Sequence, residues 1–317
     1  MEFSGKVSGF VRYALVVLAW NVIVILWGVF LRASKSGDGC GQYWLTCHGE
    51  VIPSAPELKT VIEFSHRVTS GVAFVAVLVL LIWSFRKFPR GSIVRKAALG
   101  AFVFIVTEAL VGAGLVLTGN TAETLTAARP FWSIGHLINT FILLAFLTLT
   151  AWFAASNRSI KWPTEPLPVI FLLMALAGIF FVGISGSIAA LSTMIFPSET
   201  LSEGFAKDFS AASNLLLRLR ISHPIVSILV GIYLIFLSGW LRSRSGNDEA
   251  VFRWSNTLSI LILLQLVFGA ATLLTLAPIV MQVGHLFLAD LVWIAFVLLA
   301  ANYLSTSSNA TQPVQSA

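Results

Sequence analysis

Charged side chains are scarce in this sequence. They make up 11% of its 317 residues, where an ordinary soluble domain carries about a quarter. That shortage excludes the pair of soluble domains that length alone would suggest. Cysteine is nearly absent, with two residues, so at most one intramolecular disulfide can form, and histidine is held to five. A cleavable leader is not expected: the first apolar run is full length, the short segment before it includes Glu2, and no A-x-A site follows. What abounds is apolar surface, with 57% hydrophobic residues and a mean hydropathy of +0.89.

The apolar residues fall in runs of roughly 20, the length that crosses about 30 Å of hydrocarbon. Eight spans are predicted, near Tyr13–Leu31, Val61–Trp83, Ala97–Thr118, Phe131–Phe153, Leu167–Leu191, Leu219–Leu241, Trp254–Leu276 and Ile279–Tyr303. The link at Ala277 and Pro278 is the tightest; one long helix there would move the C-terminus to the other side. Alternate connections hold twelve basic residues (Lys6, Arg12, Arg86, Lys87, Arg90, Arg95, Lys96, Arg158, Lys161, Arg242, Arg244, Arg253) against five (Arg32, Lys35, Lys59, Arg129, Lys207). The positive-inside bias then predicts cytoplasmic termini. The net charge of +6 is accordingly a topology signal, with no nucleic-acid partner implied. Residues 305–317 are polar and expected to form a disordered tail.

Cys40 and Cys47 both lie in the first outer loop, where disulfides are permitted. A structural disulfide, a redox-active dithiol and metal ligation with His48 are all open readings.

The sequence also repeats itself. Glu63-Phe-Ser-His66-Arg-Val-Thr-Ser resembles Arg220-Ile-Ser-His223-Pro-Ile-Val-Ser, and 223 − 66 = 157. Val111-Gly-Ala-Gly-Leu-Val-Leu-Thr118 resembles Phe268-Gly-Ala-Ala-Thr-Leu-Leu-Thr275 at the same offset, and Gly135-His136-Leu137 resembles Gly284-His285-Leu286 at 285 − 136 = 149. Four spans separate equivalent points, so the halves share one membrane orientation. The expected fold is an all-α integral membrane protein of eight transmembrane helices, arranged as two pseudo-symmetric four-helix bundles. The first half covers 1–155 and the second 156–304.

Four of the five histidines, His66, His136, His223 and His285, fall inside even-numbered spans about one turn from the outer end. Intramembrane ionisable residues are costly and mark function. Four at equal depth, paired by a repeat, point to one heme between two imidazoles in each half. Zinc is the weaker reading, since a pair of histidines lacks third and fourth ligands; a satisfied structural histidine or a proton relay would not require the symmetry. Gly71, Gly112, Gly114, Gly135, Gly269 and Gly284 would let a flat macrocycle approach the backbone, although small residues also serve helix packing.

The halves differ beside these histidines. Glu63 stands three residues before His66, where Arg220 stands three before His223, each on its histidine's face. A carboxylate can accept a proton or steady a developing cation; a guanidinium suits a heme propionate. The first half therefore reads as the reactive site and the second as a held cofactor. A solvated carboxylate at a helix N-terminus is the plainer account of Glu63. Arg67, Arg129 and Arg218 are further propionate candidates or interface residues. Glu108 and Asp290 lie deep in spans without a partner visible in sequence.

At these residues the chain resembles the heme A synthases of bacteria and mitochondria. The resemblance covers nearly the whole chain: the outer loop Arg32-Ala-Ser-Lys-Ser-Gly-Asp-Gly-Cys40-Gly-Gln-Tyr-Trp44-Leu-Thr-Cys47, the Glu63-Phe-Ser-His66-Arg67 element, and Gly135-His136, Ser222-His223 and Gly284-His285. It implies an oxidoreductase that converts the C8 methyl of heme O to the formyl of heme A by successive hydroxylation. His66 and His136 would face the substrate heme and Glu63 would be the catalytic carboxylate. His223 and His285 would ligate a resident heme b. From the residues themselves, Arg67, Arg129 and Arg220 are the candidate propionate contacts and Cys40 with Cys47 the candidate disulfide. The resemblance further implies a bacterial inner-membrane location, with a heme O synthase upstream, a heme-copper oxidase downstream and the electron acceptor unspecified. Two features depart from the family pattern: Ser192 to Leu217 holds no second cysteine pair, and Leu45 replaces the usual proline after the loop tryptophan. Rival functions are a diheme cytochrome relaying electrons to or from quinone, which would not need Glu63, and a heme carrier.

Overall fold

The computed structural model describes residues 8–306 apart from 122, 157, 159, 161–164 and 211. Lys6, Lys161 and positions 307–317 of the expected tail lie outside the described residues. Ten helices carry the fold among those residues: α1 (Gly9–Ala33), α2 (Leu58–Lys87), α3 (Ile93–Leu117), α4 (Arg129–Ser156), α5 (Pro166–Ile195), α6 (Leu201–Phe209), α7 (Leu215–Arg220), α8 (Ser222–Arg244), α9 (Glu249–Leu274) and α10 (Ile279–Thr306). Eight spans are long and apolar enough to cross a membrane, the sixth being α7 and α8 together. The chain is thus an all-helical multi-pass membrane protein.

The helices outrun the apolar runs because polar residues cap them. Ser8, Ser92, Asn214 and Asp248 each accept a hydrogen bond from a first-turn amide, and Arg86, Lys87, Arg242 and Arg244 close α2 and α8 with charge that suits a helix C-terminus. Three of the four histidines, His66, His136 and His223, therefore stand further along their helices than the apolar runs suggest. All four follow their span starts by 66 − 58 = 8, 136 − 129 = 7, 223 − 215 = 8 and 285 − 279 = 6 residues, about two turns at 3.6 residues each. Leu276 (φ 61°) and Ala277 (φ 53°) make the sharp turn between α9 and α10, which are separate helices. Ser305, the first residue of the expected tail, still belongs to α10.

Helix α1 packs on α2, α2 on α3 and α3 on α4, with α4 returning to α1; α5 packs on α7 and α8, α8 on α9 and α9 on α10. The two groups meet through α1, α4, α5 and α10, and one hydrophobic core runs through both. At that seam Phe141 stacks on Trp293 at 5.4 Å, Trp293 donates to the Phe141 carbonyl at 2.7 Å, and Trp152 donates to Asn302 at 3.3 Å. Helix α4 is the central span, with 61% of its most apolar stretch buried against 39% or less elsewhere.

Candidate functional site

The second pair of histidines has nearly perpendicular ring planes. The rings of His223 on α8 and His285 on α10 have centroids 6.2 Å apart and planes at 84°. Metal–nitrogen bonds of about 2 Å on each side, plus roughly 1 Å from nitrogen to ring centre, span about 6 Å. The separation therefore fits one iron held between two imidazoles. His223 is also oriented: its Nδ1 bonds the Ser185 hydroxyl at 3.1 Å, with Ser227 at 3.4 Å, so Nε2 remains for a metal. One nitrogen of His285 meets the Gln265 amide at 3.4 Å, while Nδ1 is buried with no hydrogen-bond partner.

The first pair, His66 on α2 and His136 on α4, lie within electrostatic reach of one another and of Glu108 on α3. His66 Nδ1 is buried without a partner. His136 Nδ1 stands 3.3 Å from Glu108 Oε1, an ion-pair distance without hydrogen-bond alignment, and over a third of the His136 side chain remains accessible. The orphaned, buried Nδ1 of His66 fits a ring nitrogen left for a metal.

Glycines seat these rings. A Cβ on Gly28 would stand 3.1 Å from His66 Cε1, on Gly186 3.0 Å from His223 Cε1, and on Gly269 2.9 Å from His285 Cε1. The first two contacts are 186 − 28 = 158 residues apart, close to the offset of the sequence repeat.

Glu63 is 3% exposed, which removes the solvated reading. It pairs with Arg67 four residues on and accepts the Cys40 amide at 2.8 Å. Arg67 also donates to the carbonyls of Tyr43 (2.6 Å) and Thr46 (2.8 Å), so α2 clamps the outer loop, in which Cys40 is bonded to Cys47. His48 contacts the Gly39 carbonyl at 2.9 Å.

The arginines proposed for propionates are engaged by protein groups. Arg220 forms a two-pronged pair with Asp208 on α6, at 3.0 and 2.5 Å, and the buried Arg129 donates to the Thr121 and Thr124 carbonyls. Sequence reasoning missed Asp208 because α6 is short and lies outside the apolar runs. It missed Ser185, Asn139 and Thr140 as partners because they stand on neighbouring helices. It left Glu108 unassigned, although the offset of the repeat places Gln265 opposite it (265 − 108 = 157). Asp290 is fully buried, with neither carboxylate oxygen bonded.

With this geometry in hand, the chain matches the cytochrome oxidase assembly protein family over residues 11–297. The chain belongs to the heme A synthase family of cytochrome oxidase assembly proteins. A heme A synthase of Alkalihalophilus pseudofirmus is 26% identical over 273 residues, 83% of this chain and 86% of that protein. One from Halalkalibacterium halodurans is 38% identical over 126 residues, 40% of this chain and 42% of that protein. Two Thermus thermophilus proteins named protoheme IX farnesyltransferase are 40% identical over 300 residues, 95% of this chain. The chain spans about half (49%) of the length of those two relatives.

Proposed function

We propose that this protein oxidises the C8 methyl of heme O to the formyl of heme A. Two successive hydroxylations, each with oxygen from water, give a geminal diol that loses one water. Net, one methyl and one water become one formyl group, four protons and four electrons that pass to an acceptor outside the chain. The observation that carries the reading is a buried carboxylate, Glu63, one turn from His66, where the second half has Arg220 instead.

In this reading His66 and His136 orient the substrate heme near the outer face, and Glu63 takes up protons released at the methyl edge. Arg67 and the Cys40 amide hold Glu63 in place, so the Cys40–Cys47 loop forms the lid of the site. His223 and His285 hold heme b, with Ser185 fixing the first imidazole. When bound, heme b supplies one-electron transfer to an acceptor outside the chain. Residues 1–155 form the catalytic half and 156–304 the electron-transfer half. The basic bias of alternate loops supports cytoplasmic termini, and the bacterial origin of the relatives supports a bacterial inner-membrane location. A protoheme farnesyltransferase supplies the substrate and a heme-copper oxidase takes the product. The match to about half the length of two Thermus proteins named protoheme IX farnesyltransferase supports the first pairing.

The ion pair of Glu63 with Arg67 favours one second reading, an electron relay in which Glu63 merely clamps the loop. Purified protein given heme O decides between them, with extracted pigments separated by chromatography. A synthase forms heme A and stalls on Glu63→Ala; a relay forms none, and its electron transfer survives the substitution.

A further inference from the structure

The repeat pairs Glu108 with Gln265, and both face a histidine, through different ring nitrogens: Glu108 Oε1 stands 3.3 Å from His136 Nδ1, and the Gln265 amide nitrogen 3.4 Å from His285 Nε2. The surroundings of the two side chains differ as a set. Glu108 Oε2 accepts from the Asn139 amide, and Oε1 lies 2.5 Å from the Thr140 hydroxyl. Asn139 is itself held with its amide toward the carboxylate, because its oxygen accepts from Thr107 at 2.6 Å and its nitrogen also donates to the Phe104 carbonyl at 2.9 Å. By the offsets of the repeat (157 on α3, 149 on α4), Thr107, Asn139 and Thr140 correspond to Leu264, Leu288 and Ala289. None of those three can donate a side-chain hydrogen bond. Donors thus surround the carboxylate on the first half, and their counterpart positions on the second half are apolar.

The ring positions differ in step. A Cβ on Gly269 would press on His285 at 2.9 Å, whereas one on its counterpart Gly112 would meet nothing within 4 Å. His285 is seated on glycine; His136 instead has Glu108 at 3.3 Å.

We infer that Glu108 is a positioning residue that accepts the Nδ1 proton of His136 and makes this imidazole a stronger electron donor than its counterpart His285. A carboxylate behind a ligating histidine fixes its tautomer and raises its basicity, whereas an amide adds no negative charge. The first-half iron would thereby be biased toward its oxidised form relative to the second, a difference that favours electron flow from the first half to the second. The inference rests on the heme reading above.

The test is a spectroscopic redox titration of purified protein carrying both hemes, in wild type, Glu108→Gln and Gln265→Glu. Glu108→Gln is expected to raise the potential of the first-half heme and leave that of the second unchanged; Gln265→Glu is expected to lower the second alone. Glu108→Ala, which loses the tether as well, should retain the first-half heme about 10-fold or more weakly, and glutamine should rescue retention but not potential. Both potentials unmoved in protein that holds both hemes would overturn the inference. If Glu108 variants do not fold, an unmoved second-half potential in Gln265→Glu overturns it by itself. Wild-type protein that binds no heme would overturn the functional reading instead.

Discussion

The first four spans and the last four place histidines alike and differ in what stands beside them. Each group sets two imidazoles about two turns into its spans and seats at least one on a glycine. Around the first pair lie Glu63, Arg67 and Glu108; around the second lie Ser185, Gln265 and apolar side chains, with Arg220 tied to Asp208 on the flanking α6. Two sites that share a scaffold can therefore be set apart by a handful of polar substitutions. A protein-bound cofactor needs firm tethering, and a reacting one needs acids and bases in reach.

The largest expected effect comes from removing the carboxylate found only on the first side. Glu63→Gln should lower heme A formation by about 100-fold or more, the range of general acid–base groups, while the second-half heme keeps its spectrum. Equal loss of both pigments would mean that Glu63 acts on folding alone. The converse substitution is Ser185→Ala, which removes the shorter of the two hydroxyl contacts to His223 Nδ1 and leaves only Ser227. Heme b retention should weaken by about 10-fold or more, measured as pigment left after extended washing in detergent, with no change at the first pair. Smaller still are Gly28→Ala and Gly186→Ala, whose added methyls press on His66 and His223 at 3.1 and 3.0 Å. Overpacking of this kind costs about 1–3 kcal/mol, and each should shift the absorption of the heme in its own half only.

The smallest effect concerns the outer loops of the first group. Lys35 pairs with the exposed Glu123, holding the Glu123 carboxyl below its ordinary range. A lowered folded pKa stabilises the protein above the usual carboxylate range and loses that contribution as pH falls through the lowered value. The melting difference between wild type and Glu123→Gln should thus be small at neutral pH, shrink with salt and vanish in acid. A difference that grew on acidification would contradict the pairing.

The eight spans were legible because hydrocarbon admits few charges and long apolar runs leave little ambiguity. The four histidines were legible through the repeat, which lifted them above isolated polar residues. What stayed hidden were partners across helices. Glu108 and His136 are 28 residues apart in sequence, and only the packing of α3 on α4 brings them to 3.3 Å. Arg220 read as a free guanidinium because Asp208 sits on a nine-residue helix outside the spans. A solvated Glu63 stayed open as a reading because the polar segment that opens α2 obscured how far the helix extends and how the cystine loop folds over it.

The central claim is that two pairs of imidazoles hold two different hemes. Pigment analysis of purified His66→Ala and His223→Ala proteins tests it most directly, using absorption spectra and chromatography of extracted hemes. The account predicts that His223→Ala loses heme b and keeps heme O or heme A, whereas His66→Ala keeps heme b and loses the other. A colourless wild type, or the same pigments in both variants as in wild type, would contradict it.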